Sequence, residues 1–172
     1  MDQIHFIITG GTIDSHYDGM KDTAVPNEES IVPAFIKNLK LPIEYEFTTV
    51  CMKDSRAITD EDRVAMANVI KASSAKKFII THGTYTMPDT ARYLEDPIRG
   101  GGKTVILTGA FVPLTDTIRS DGGFNIGFAL AQMQHIDPAV YVCMNGQILK
   151  ASEAMKIVTE GRFASRDEWG VE

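Results

Sequence analysis

The sequence predicts an α/β domain: a three-layer, open and mostly parallel sheet with helices on both faces and a C-terminal β-hairpin. Three observations predict it. Short apolar runs at residues 4–8, 78–80, 104–107 and 140–144 alternate with segments of helical periodicity, the pattern of successive βαβ units. Phe78-Ile79-Ile80 is apolar at every position, as a strand covered on both faces has to be. Asn145-Gly146 separates two β-rich segments and supplies the positive backbone angles of a two-residue hairpin turn.

The elements follow in order. Residues 4–8 form a first strand, cut off by Gly10-Gly11. Asn27 or Ser30 caps a helix to about Asn38, with Ile31, Phe35 and Ile36 on one face. Residues 45–50 are β-rich and follow the Leu41-Pro42 break. Thr59 or Asp60 opens a helix whose apolar face holds Val64, Ala67, Val69 and Ile70. Pro88 and Asp89 suit the first turn of a helix that follows the 78–80 strand. Residues 104–107 are the next strand, and Ser120-Asp121 starts a helix through Phe124, Ile126, Ala129 and Leu130. After the strand at 140–144 and its hairpin partner at 147–150, the chain beyond Ile157 turns polar and reads as a tail or short edge element. No repeat, low-complexity stretch or linker interrupts residues 1–172, so a single domain is expected.

With 172 residues, 44% of them hydrophobic, the chain can bury roughly 70% of its unfolded surface and needs no covalent staple to fold. The 17 Lys and Arg against 23 Asp and Glu give a net charge of −6, with no local basic run, which argues against nucleic acid and anionic lipid as partners. Cys51 and Cys143 form no CxxC and no zinc-ligand spacing; two buried, reduced thiols are expected rather than a disulfide. Met1-Asp2-Gln3-Ile4-His5 lacks a basic leader, and no apolar run approaches the roughly 20 residues that span a bilayer. A cytoplasmic setting, without a membrane role, is expected.

In an open parallel sheet, ligands bind beyond the carboxyl ends of the strands. Two loops placed there carry unusual chemistry: Thr9-Gly10-Gly11-Thr12-Ile13 and Thr81-His82-Gly83-Thr84-Tyr85-Thr86-Met87. Each sets a threonine beyond a glycine, so that backbone N–H groups can face developing negative charge beside a hydroxyl nucleophile. Taken singly, Gly-Gly is a tight turn and threonine a common cap. There is no GxGxxG and no GxxxxGK[ST], which leaves phosphate or nucleotide binding poorly supported.

Taken together and in this order, the two loops resemble the signatures TGGTI and HGTDTM of the bacterial-type L-asparaginase/glutaminase family. Further pieces are similar in the same order: Asp54-Ser55 before Thr59-Asp60, Thr108-Gly109-Ala110, Ser120-Asp121-Gly122 with Asn125, and Met144-Asn145 followed by Lys156. The resemblance covers nearly the whole chain but only the family's N-terminal domain, without its smaller C-terminal domain. It implies an amidohydrolase acting on L-asparagine or a related small amide, with no metal or organic cofactor. Thr12 would be the nucleophile and Tyr17, in a mobile loop at residues 16–19, its activator. Thr84 would be the second threonine, polarised by Lys156. Gly11 and Gly83 would line the substrate, with an oxyanion site near the Thr84 N–H, and Ser55 would hold the α-carboxylate. A homo-oligomer is implied too, since the family shares its sites across subunits.

The sequence departs from the family at two places. Tyr85 stands where an aspartate binds the substrate's ammonium, and the stretch Gly109-Ala110-Phe111-Val112-Pro113 lacks the arginine that the family carries there. Tyr85 therefore belongs to the substrate site without the charge, and acidic residues of a partner's tail (Asp167, Glu168 or Glu172) are candidates to replace it. A non-catalytic amino-acid-binding or regulatory module is the alternative reading. For single residues the bland expectations are a hydrogen-bonded structural role for His82, loop closure by Asp121, loop tethering by Asn125 and core filling by the methionines.

Overall fold

The computed structural model describes residues 3–170, so Met1, Asp2, Val171 and Glu172 lie outside the described residues. The chain forms β1 (Ile4–Gly10), β2 (Ser15–Asp18), β3 (Thr23–Pro26), α1 (Val32–Asn38), β4 (Tyr45–Lys53) and α2 (Asp60–Ala72). It continues through β5 (Lys77–Thr81), α3 (Met87–Ile98), β6 (Thr104–Thr108), α4 (Gly122–Gln132), β7 (Val140–Met144) and β8 (Gln147–Lys150). It closes with β9 (Ala154–Ile157), β10 (Arg162–Ser165) and α5 (Arg166–Trp169).

The main sheet has the order β4-β1-β5-β6-β7-β8. Its first five strands run parallel, and β8 returns antiparallel to β7. The return is made at Asn145 and Gly146, with φ of 55° and 71°, a pairing that asparagine and glycine tolerate best. From β1 the chain crosses to β4 on one side, then passes back over β1 to β5 on the other. Strand order therefore reverses between β1 and β5, and the crevice at their carboxyl ends is where such sheets place ligands.

Alternation along the strands builds the two outer layers. Phe6, Ile79, Ile106 and Cys143 face Ile36 of α1 and Ile126 and Ala129 of α4. Ile7, Phe78, Ile80, Leu107 and Val142 face Met66, Ala67 and Ile70 of α2 and Ala91 and Leu94 of α3. Each such side chain contributes about 1.5–3 kcal/mol by leaving water. Thr59 caps α2 as expected: its hydroxyl accepts from the Asp62 N–H, and the Asp62 carboxylate accepts from the Thr59 N–H at 2.8 Å.

Several local expectations change. Helix α1 starts at Val32 rather than after Asn27 or Ser30, because that stretch closes a loop over the buried Asp14. Ser30 donates its hydroxyl to Asp14 (2.6 Å), the Ile31 N–H donates to the same carboxylate (2.9 Å), and the Asn27 N–H donates to the Asp14 carbonyl (2.8 Å). The buried face of α2 is Met66, Ala67 and Ile70, while Val64 is 44% exposed. Phe124 is 60% exposed and stacks on Phe128. Of the residues expected to form a loop at 16–19, His16, Tyr17 and Asp18 lie in β2 of a two-stranded β2–β3 ribbon, and Gly19 lies in its turn. The polar tail contains β10, paired antiparallel with β9, and α5. Both cysteines are unpaired; Cys143 is buried, whereas Cys51 is half-buried and donates its thiol to the Thr9 carbonyl. Among the described residues, no helix is long and apolar enough to cross a membrane.

Candidate active site

Backbone contacts between glycines bring the strand-end loops together. Gly10 and Gly11 have φ of +85° and +83°, a conformation that side chains rarely adopt. A Cβ on Gly11 would lie 2.3 Å from the Gly83 nitrogen, and one on Gly83 would lie 2.6 Å from the Ser55 Cβ. The loops after β1, β4 and β5 are thus packed backbone to backbone, and Thr12, Ser55 and Thr84 sit at or one residue beyond the contacts. Threonines clip the strand ends beneath: the Thr9 hydroxyl donates to the Thr81 carbonyl and the Thr108 hydroxyl to the Cys143 carbonyl, each at 2.8 Å.

Lys156 reaches this crevice from β9. Its Nζ donates to the Thr84 Oγ1 at 2.7 Å and lies 5.1 Å from the Phe111 ring centre and 5.9 Å from that of Tyr85. Burial among these aromatics lowers its pKa, the Arg56 cation lowers it further, and Asp54 opposes both. A chain of bonds fixes the strand that carries it. Asp121 accepts from the Phe111 N–H and from the Asn125 amide; Asn125 in turn donates to the Gly109 carbonyl and accepts from the Asn145 N–H. Asn145 accepts from the Phe163 N–H at 3.0 Å, and Phe163 is the β10 residue directly opposite Lys156.

Thr12 is half-buried at the start of a 3-10 turn, Thr12–Asp14. Ser55 is buried; its hydroxyl accepts from the Tyr85 N–H (3.2 Å) and its carbonyl from the Thr86 hydroxyl (2.7 Å), so its own proton is directed elsewhere. Tyr85 is 51% exposed, with the Arg56 guanidinium 4.7 Å from its ring centre. Tyr17 stands apart from this group: it projects from the β2–β3 ribbon, two-thirds exposed, with its hydroxyl on the Asp22 carboxylate. His82 is fully buried, with its Nδ1 on the Gly83 carbonyl (2.8 Å) and its Nε2 without a partner. Asp121 and Asn125 tether loops. Of the tail carboxylates, Glu168 pairs with Arg162.

Motif reading missed Arg56, Arg92 and Arg166. Arg92 and Arg166 line a cleft with Tyr85 and Lys156. Only the adjacency of Arg56 to Ser55 offered a signal in the sequence.

Fold and site define an open α/β domain whose hydroxyl and cationic side chains converge where strand order reverses. The chain belongs to the asparaginase family: the family profile described as "Asparaginase, N-terminal" matches residues 3–167. It is 34% identical to L-asparaginase 1 of Escherichia coli over 132 residues, covering 74% of this chain and 39% of that protein. It is 35% identical to a human 60 kDa lysophospholipase over 115 residues, 65% of this chain and 20% of the other. L-asparaginase I of Vibrio cholerae superposes with a TM-score of 0.83 at 26% identity, over 95% of this chain and 51% of that one. The L-asparaginase of Thermococcus kodakarensis gives 0.80 at 27% identity, over 95% and 51%. The chain spans less than half the length of the curated relatives it matches, 46% in the case of a probable periplasmic L-asparaginase of Haemophilus influenzae.

Proposed function

We propose that this chain is a threonine-dependent amidohydrolase that cleaves L-asparagine, or a closely related small amide, to the acid and ammonia through an acyl-enzyme. One observation carries the reading: the 2.7 Å bond from a partly desolvated Lys156 to Thr84, in the crevice where Gly11 and Gly83 bring the Thr12 loop alongside. In this reading the Thr12 Oγ attacks the amide carbon and its proton leaves towards the Thr84–Lys156 pair. N–H groups of the Gly83-Thr84 turn face the oxyanion. The C–N bond then breaks as ammonia takes up the proton, and water cleaves the Thr12 ester by the reverse transfers. A lysine with a lowered pKa accepts a proton at lower pH than a solvated one, which suits this role. Ser55, whose hydroxyl proton is uncommitted to Tyr85, would hold the substrate carboxylate, and Tyr17 would join only if the β2–β3 ribbon moved inward.

Ammonia release over a panel of L- and D-asparagine, L-glutamine, N-acetyl-asparagine and succinamate, with Thr12→Val beside the wild type, tests it. Turnover lost by at least about a hundredfold in Thr12→Val is expected. A folded protein that binds an amide and releases no ammonia would instead be the binding module. Self-association and a cytoplasmic setting belong to the same reading. Two unpaired cysteines suit a reducing compartment, and Phe124 and Ile118 lie exposed. Sedimentation showing only monomer would remove the first of these.

A further inference from the structure

The charge around Tyr85 points to a substrate class narrower than the amides above. Next to the Lys156–Thr84 pair, Tyr85, Pro88, Asp89, Arg92, Lys156 and Arg166 line a cleft of about 290 Å³, near the lower end of the range for small-ligand sites. Its charges are unevenly matched. Arg92 is committed to Asp89 (2.6 Å) and to the Ala154 carbonyl (3.2 Å). The Arg56 guanidinium lies over the same Tyr85 ring as Lys156, and the neighbouring Asp54 carboxylate caps the turn by accepting the Arg56 N–H at 2.8 Å. Arg166 enters the cleft from α5. Two arginines, Arg56 over the ring and Arg166 in the cleft, thus neighbour Tyr85 beside Lys156, while the two nearby carboxylates, Asp54 and Asp89, already accept from the Arg56 N–H and from Arg92. An ammonium placed here meets an excess of like charge, whereas a carboxylate meets Arg56, whose chain neighbour Ser55 offers a buried hydroxyl.

We propose that the site selects amides that carry a carboxylate but no α-ammonium, the monoamides of small dicarboxylic acids, with Arg56 and Ser55 taking the carboxylate and Tyr85 filling the space an ammonium would need. The proposal rests on the amidohydrolase reading for its chemistry but not for its binding preference, so the two are separable. Succinamate and L-asparagine differ only in the α-amino group, and both turnover and binding are measured, the latter by calorimetry on Thr12→Val. Succinamate is expected to exceed L-asparagine by at least about tenfold in kcat/KM and in affinity. Arg56→Ala should reduce succinamate binding by about tenfold and Arg56→Lys by less, since the charge remains. Tyr85→Asp should invert the preference. Tighter binding or faster turnover of L-asparagine in the wild type overturns the selectivity while leaving hydrolysis intact. Succinamate preferred in binding without ammonia release upholds the selectivity and ends the amidohydrolase reading. Binding of neither compound overturns the selectivity as well.

Discussion

His82 shows what the interior does to one titratable side chain. Complete burial pushes its pKa down to about 4 from 6.5, with the Arg63 cation adding to the effect and the Gly83 carbonyl resisting it. The folded protein keeps the ring neutral through this window, whereas the unfolded chain takes up a proton near 6.5. The unfolded state therefore binds more protons between these values, so stability rises with pH there and is lost on acidification, by up to about 3 kcal/mol for the full shift. His82→Asn, whose amide can still donate to the Gly83 carbonyl, should show a smaller loss of stability between neutral pH and about pH 4. Urea melts across that range measure it; an unchanged acid limb would mean that His5, also lowered by burial, dominates. The site residues obey the same logic. Lys156 has its pKa lowered by burial beside Phe111 and Tyr85, neither of which sits near it in sequence.

At the level of elements, the crevice is assembled by glycines that let loops touch and by an asparagine relay that holds β10 against β9. Gly11→Ala combines a positive φ with a clash into the Gly83 backbone, neither of which a flexible neighbour can relieve. It should destabilise by roughly 3 kcal/mol or more and abolish turnover. Asn145→Ala tests the relay. Losing its bond to the Phe163 N–H should cost about 1–2 kcal/mol and lower kcat more than it raises KM, because the strand opposite Lys156 loses its anchor while the Ser55 side is untouched. Thermal melts and steady-state kinetics on the two variants separate these effects; an Asn145→Ala enzyme with native kcat would detach the relay from Lys156.

Across the whole molecule, two core layers share one sheet, and the least accessible groups report its global stability. Burial raises the pKa of the Cys143 thiol to about 12 and of the half-buried Cys51 to about 11. The thiolate is the reactive form, so Cys143 should label only as fast as the protein unfolds, after Cys51 has reacted. Mass spectrometry over a labelling time course checks the order, and rapid native labelling of Cys143 would contradict it.

Much of this organisation was legible in the chain itself. Uniformly apolar runs can be stable only as strands covered on both faces, and Asn145-Gly146 admits a hairpin turn because both residues tolerate positive φ. The TGGTI and HGTYTM loops mark strand ends for the same local reason: glycine where backbones must meet. Where the local signal was weak, it misled. Ser30 reads as a helix cap but spends its hydroxyl on Asp14, sixteen residues earlier, and the apolar Val64 yields the core face of α2 to Met66. Tertiary structure alone decided the charge of the site. Nothing in the sequence brings Arg56, Lys156 and Arg166 beside one tyrosine, since electrostatic fields depend on distances in space, and the folding of β9, β10 and α5 over the switch point sets those distances.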